Sequence, residues 1–310
     1  MKKVIIVGSV ALDSISSPFG KVERTVGGSA IYASLSASLF SPAGIVGVVG
    51  KDFPKGFLSN LKRRKIDTSG IKFEKGKTFF WRGKYSWDLN TAHTLATQLN
   101  VFANFKGEIP SNFLKEEFLF LANIDPVLQL QVLKRMKKSG GAKFVAGDTM
   151  NFWIERKKEE LKRVISFLDV FLLNEAELRQ FTGQHNILKG IKKIFAMSKN
   201  LKGIVVKRGE YGTCFFMKNR MFFLPAFPLE DAVDPTGAGD SFAGTFMGWL
   251  ASRKKINWQE LKKAIVYGTI VASFTVAGFG TKGLLSLKKS EISKRYRKFA
   301  KMVHFEKTQI

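Results

Sequence analysis

The sequence predicts an α/β protein, with a largely parallel β-sheet covered by helices on both faces. Two observations carry this reading. Short runs rich in Val, Ile, Leu and Phe alternate with longer segments of helical character along most of the chain. A hydrophobic content of 45% over 310 residues is enough for a full core, in one large domain or one domain with an appendage. No internal repeat or low-complexity linker divides the chain.

Residues 3–8 read as a buried first strand. Lys2 and Lys3 before an apolar run look superficially like a signal peptide, but Asp13 ends the run and no cleavage-site pattern follows. Residues 29–39 have helical character, 44–49 form a second buried strand, and 54–64 look helical. The alternation resumes with strand 118–122, helix 126–138, strand 143–146, helix 151–167, strand 170–173 and helix 175–181. Helix 191–198 and strands 203–207 and 213–217 follow. The last part, 238–250, 258–276 and 290–303, is mostly helical. Two segments break the alternation: 14–25, short and polar, and 71–105, rich in Phe, Trp, Tyr and Thr, with strand propensity at 77–85 and 98–105. They form either a small separate sheet or an edge extension of the main one.

The net charge of +26 raises the question of polyanion binding. The basic residues are scattered in short groups, such as Lys62-Arg63-Arg64-Lys65, Lys134-Arg135, Lys157-Lys158 and Lys288-Lys289. No zinc-finger spacing accompanies them. They read as solvated helix faces, so no specific nucleic-acid partner is expected, while an anionic substrate gains from the field. The one cysteine, Cys214, excludes an intramolecular disulfide framework and fits a reducing compartment. No apolar run reaches transmembrane length, and no membrane partner is expected.

The densest chemistry lies in Asp234-Pro235-Thr236-Gly237-Ala238-Gly239-Asp240. Asp-Pro opens a turn, small residues leave backbone N–H groups uncovered, and a helix begins. Such a helix start is an anion site. A carboxylate there is poor for anion affinity but suits a base that takes a proton from a hydroxyl while the N–H groups hold charge on a transferred phosphoryl group. The plainer alternative is an Asp favoured by the helix dipole. Asn174 and Glu177 form an N-cap pair with capping-box spacing. Neither Gly-x-Gly-x-x-Gly nor a Walker phosphate loop is present, which argues against a dinucleotide-binding oxidoreductase and a P-loop enzyme.

The run from Asp234 through Gly244 resembles the C-terminal signature of the PfkB carbohydrate kinases, the ribokinase-like family. Asp13 after Val7-Gly8-Ser9-Val10-Ala11-Leu12, the glycine pair Gly27-Gly28, Gly47-Val48-Val49-Gly50 and Asn174-x-x-Glu177 extend the resemblance over nearly the whole chain. It implies a three-layer α/β/α fold with a β-sheet lid made from 14–25 and 71–105, inserted into a main domain of 1–13, 26–70 and 106–310. It implies an ATP-dependent kinase acting on a hydroxyl of a sugar or sugar-like molecule, with a nucleoside as the rival acceptor. Asp240 is then the general base, with Gly237, Ala238 and Gly239 holding the phosphoryl oxygens. Asp13, ending the first strand, binds acceptor hydroxyls with Gly27, Gly28 and Ser29. Tyr32 stands where many members carry Asn, and its ring offers a stacking face unless it turns to the core. Asn174, Glu177, Lys207, Gly209, Gly212 and Thr236 face the nucleotide. Glu177 orders Mg²⁺ through water, and Asp234 matches a position that binds K⁺ in some relatives. Lys207 or Arg208 meets phosphate, and Asp148 is a further candidate at a strand end. Lid aromatics such as Phe79, Phe80, Trp81, Tyr85 and Trp87 pack in the lid, against the acceptor, or across a homodimer. A cytoplasmic location is expected.

Overall fold

The structure is a computed structural model, and it describes residues 1–304. Its core is a nine-stranded sheet. Seven strands run parallel: β1 (Val4–Val7), β4 (Ala43–Val49), β5 (Ile66–Phe73), β8 (Phe118–Leu121), β9 (Phe144–Gly147), β10 (Val170–Asn174) and β11 (Gly203–Lys207). Two antiparallel strands, β12 (Thr213–Met217) and β13 (Arg220–Leu224), complete one edge. The order is β13-β12-β11-β10-β9-β8-β1-β4-β5. The inner strands are continuous apolar runs because helices cover both faces, so residues of either parity must be apolar. In β1, Val4 and Ile6 join one core, and Ile5 and Val7 the other.

One face carries α1 (Ser29–Ala37), α2 (Lys55–Arg63), α8 (Ala238–Ala251), α9 (Trp258–Val276), α10 (Lys282–Ser286) and α11 (Lys289–Met302). The other carries α3 (Pro126–Lys138), α4 (Asn151–Arg156), α5 (Lys158–Ile165), α6 (Glu175–Thr182) and α7 (Ile187–Met197). Among the described residues, no helix is long and apolar enough to cross a membrane.

Helices α1 and α8 approach closely because both are built from small residues. A methyl group at Gly244 would collide with the backbone carbonyl of Ala33 and with Ser36 Oγ. Backbone cannot swing aside as a side chain can. Gly244→Ala is therefore expected to lower stability by about 3 kcal/mol, the upper end for overpacking. A denaturation midpoint equal to wild type would show that the two helices have room to spare.

The lid is a separate four-stranded sheet of β2 (Ala11–Ser17), β3 (Gly20–Gly27), β6 (Phe79–Tyr85) and β7 (Ala92–Gln98), in the order β3-β2-β6-β7. β2 and β6 are parallel, and the outer pairs antiparallel. Its limits differ from the expected 14–25 and 71–105. Residues 11–13 and 26–27 belong to it, while 71–73 end β5 in the large sheet. Asp13 accordingly lies within lid strand β2, not at the end of the first strand. The apolar run from Val4 to Leu12 hides the break between β1 and β2.

Other boundaries move for local reasons. No strand runs over the expected 98–105: the exposed strand β7 lies earlier and ends at Gln98, and a 3₁₀ turn follows at Asn100–Asn104. Helix 151–167 breaks at Lys157, whose φ of −139° is not helical. Helix α7 starts earlier than expected, at Ile187, where Asn186 caps the Lys189 N–H at 3.1 Å. The lid aromatics mostly pack within the lid region. Phe79 stacks on Phe102, Phe80 lies under Arg24 and Arg82, and Trp81 donates to Thr94. Trp87 stacks on Phe19 and stays 79% exposed.

Candidate active site

The site is organised by the start of α8. Gly237 is the N-cap, with φ +75°, a conformation that favours glycine. A side chain there would also run into the ring of Tyr32. Ala238 donates its N–H to the Pro235 carbonyl at 3.1 Å, closing the turn that Asp-Pro opens. Ala238 is thus not an available anion donor as the motif suggested. Among the described residues, the N–H groups of Gly237, Gly239 and Asp240 donate to no protein group, so Asp240 supplies the third donor itself. A methyl group at Gly239 would lie 2.9 Å from Lys207 Nζ, which places that ammonium beside the same turn. Burial pushes the Asp240 carboxyl up to about 6, and the nearby Lys207 charge acts in the opposite direction.

Asp13 approaches from the lid side. It is 3% exposed, and Gly27 must lack a side chain because the Asp13 carboxylate occupies that space. Burial raises Asp13 to about 7; a backbone hydrogen bond from Gly28 opposes this, and the charges of Asp234 and Asp240 add to it. A register shift between Asp13 and Ile15 marks a bulge, a device that re-aims side chains.

The opposite side is formed by the ends of β9, β10 and β11. Asn174 and Lys207 are register partners at the ends of β10 and β11. Asn174 Oδ1 accepts from the Glu177 N–H at 2.8 Å, and Glu177 Oε2 accepts from the Asn174 N–H at 2.7 Å, a full capping box. Asp148, just past β9, is 4% exposed, and its Oδ1 has no partner. Burial raises both Asp148 and Glu177, Lys207 opposes, and the charge of Asp240 adds to each. The charge of Asp240 thus acts on two sets of carboxyls, Asp13 on a lid strand and Asp148 with Glu177 near the ends of β9 and β10.

The sequence matches the pfkB family carbohydrate kinases over residues 1–287. The chain belongs to this family. A cytidine kinase of Thermococcus kodakarensis is 30% identical over 255 residues, 80% of this chain and 88% of the relative. A crystal structure of the nucleoside kinase of Methanocaldococcus jannaschii, described as an archaeal member of the ribokinase family, superimposes with a TM-score of 0.75 at 22% identity, covering 96% of this chain and 99% of that one. A fructokinase from Vibrio cholerae, solved with fructose, ADP and calcium, gives 0.79 at 20% identity, over 96% and 99%. As a pfkB kinase, the protein is an ATP-dependent phosphotransferase acting on a hydroxyl group.

Several residues behave differently from what the pfkB motifs imply. Tyr32 is 1% exposed, and its ring packs beneath Gly237, so it offers no face for stacking. The Ser29 hydroxyl is engaged by Ser9, with its oxygen 3.1 Å from the Ser9 Oγ, and so ties α1 to the loop after β1. Arg208 is held by Glu175, Nε to Oε2 at 2.7 Å, leaving Lys207 as the cation at the α8 turn. Gly212, with φ +93°, has no room for a side chain against the Leu224 carbonyl, and Gly209 has φ +55°, so both serve the shape of the loop. Asp234 accepts from the N–H groups of Thr236 and Gly280, each at 2.9 Å, which accounts for an Asp there without a cation.

Sequence reasoning missed the N–H of Asp240 as a donor, and gave Tyr85 no role distinct from the other lid aromatics. A strand-end position facing the phosphate path was the one signal for Asp148. Nothing local marks Tyr85, which reaches Thr236 across 151 residues of sequence.

Proposed function

We propose that this pfkB kinase phosphorylates a hydroxyl of a nucleoside, with ATP as donor and Asp240 as general base. The observation that supports it most directly is Asp240 itself. It is a partly exposed carboxyl in the first turn of α8, beside Lys207 and among three unpartnered N–H groups. With a pKa near 6 it is largely ionised at neutral pH, yet more basic than an exposed Asp. It takes the proton of the acceptor hydroxyl as that oxygen bonds to the γ-phosphorus and the bond to ADP breaks. The N–H groups of Gly237, Gly239 and Asp240, with Lys207, offset the charge on the transferred group. Asp13 accepts from acceptor hydroxyls on the lid side.

Mg²⁺ fits the other side. Such a cation is held by one or two carboxylates together with phosphates and water. Asp148 has an unpartnered buried oxygen, and Glu177 has one oxygen left after its capping box. These two would hold the ion, which would offset phosphate charge. Among the described residues, no cluster of three carboxylate, imidazole or thiolate groups could cage a metal by itself, and a phosphate-bridged ion needs none.

The cytidine kinase likeness favours a nucleoside. The burial of Asp13, Tyr32 and Tyr85 favours a second reading, a free pentose. A screen of ADP release with cytidine, uridine, adenosine, inosine, ribose and fructose separates the two. Cytidine or another nucleoside is expected to exceed ribose in kcat/KM by about tenfold or more, as one retained binding contact of ordinary strength suffices for that. Ribose ahead of every nucleoside would reverse the assignment, and no turnover with any of the six would remove it.

A further inference from the structure

We propose that Tyr85, carried by the lid strand β6, is a positioning residue for phosphoryl transfer that acts through Thr236. The Thr236 Oγ1 lies 3.0 Å from the Tyr85 hydroxyl, a bond from the lid to the turn that precedes α8. Tyr85 is only 8% exposed, so its end of this part-buried bond is shielded from water. Thr236 is also held at its other end, where its N–H donates to Asp234 Oδ1 at 2.9 Å. Asp234 is anchored in turn by the Gly280 N–H.

The next residue, Gly237, is one of the three free N–H donors and sits on the ring of Tyr32. A glycine with positive φ confers little stiffness of its own, so the orientation of its N–H depends on what grips its neighbours. Asp234 and Tyr85 both hold Thr236, one at its N–H and the other at its hydroxyl, and the Tyr32 ring packs against Gly237 itself. Asp234 and Tyr32 belong to the main body and are present whatever the lid does. Tyr85 belongs to the lid, so its hydroxyl makes the geometry of the phosphoryl site depend on the lid being in place. Electrostatic stabilisation works only when donors are already oriented as charge develops. Burial holds the phenol above its ordinary pKa, so it remains a neutral hydroxyl.

The inference rests on the kinase reading, and its test is run on the acceptor that wild type turns over. Tyr85→Phe keeps the ring and removes the bond. It should lower kcat by about 3–10-fold, the value of one partly shielded neutral hydrogen bond, with the KM of acceptor and of ATP within about twofold and a melting temperature lowered by no more than about 4 °C. Thr236→Val should reproduce the loss, and the double variant should lose no more than either single one. Thr236→Ser retains the hydroxyl and should keep wild-type kcat. An unchanged kcat in Tyr85→Phe overturns the proposal. So do additive losses in the double variant, or a loss confined to acceptor KM, which would make Tyr85 an acceptor ligand. Failure of the kinase reading itself shows separately, as wild type without any acceptor.

Discussion

Asp240→Asn is expected to lower kcat by about 10²–10⁴-fold, the usual contribution of a general base. The substitution keeps the size of the side chain and the backbone N–H of the α8 turn, so the anion site survives. ATP KM should change little, because Lys207, Gly237 and Gly239 are untouched. Stability should not fall, since a carboxyl raised by burial contributes a penalty when ionised and Asn carries none. In wild type, activity should fall as pH drops through about 6, where Asp240 takes up its proton and ceases to be a base. A kcat near wild type in the variant on its true acceptor would remove Asp240 from the role.

Asp13→Ala is expected to raise acceptor KM on the order of 10²-fold, the loss of bonds to a buried charged group, with ATP KM nearly constant. An effect on ATP alone would put the acceptor elsewhere. The same carboxyl predicts a stability effect of opposite sign to most core substitutions. Its pKa is raised from 3.8 to about 7, chiefly by burial. Folded and unfolded chains are equally protonated below the unfolded value, and no penalty exists there. As pH rises through the folded value, the buried group must ionise, which costs on the order of 4 kcal/mol once complete. Asp13→Asn keeps the shape and one acceptor oxygen without the charge. It should therefore melt higher than wild type at pH 8 and no higher at pH 4. Equal melting temperatures at pH 8 would show that Asp13 is not ionised at a cost in the folded protein.

Together the two carboxyls divide the pH dependence. Asp13 should appear in acceptor KM around pH 7, and Asp240 in kcat around pH 6. The division follows from their places, one on a lid strand and one in the first turn of a core helix.

Much of the fold could be read from residues in order, where the physics is local. Inner strands of a sheet covered on both faces must be apolar throughout, and β8, β10 and β11 show it. Asn174 and Glu177 satisfy orphan donors within one turn, so three residues suffice to predict the contact. Asp234 to Asp240 likewise predicts a turn, a helix start and a carboxylate beside free N–H groups. Strands with one solvated or edge-exposed face, β5, β7 and β13, lack the continuous apolar signal that marks the inner strands.

The sequence by itself determined the family chemistry, the parallel core and the local turns, because each depends on side chains within a few residues of one another. Tertiary structure alone decided which groups meet. Tyr32 lies under Gly237, Lys207 rather than Arg208 reaches Gly239, and Asp13 rides on the lid. The Tyr85 hydroxyl meets Thr236, and the charge of Asp240 acts on Asp148. Each pair joins elements far apart in the chain. Their meeting depends on how helices and strands pack, a property of the whole core that no short run of residues encodes.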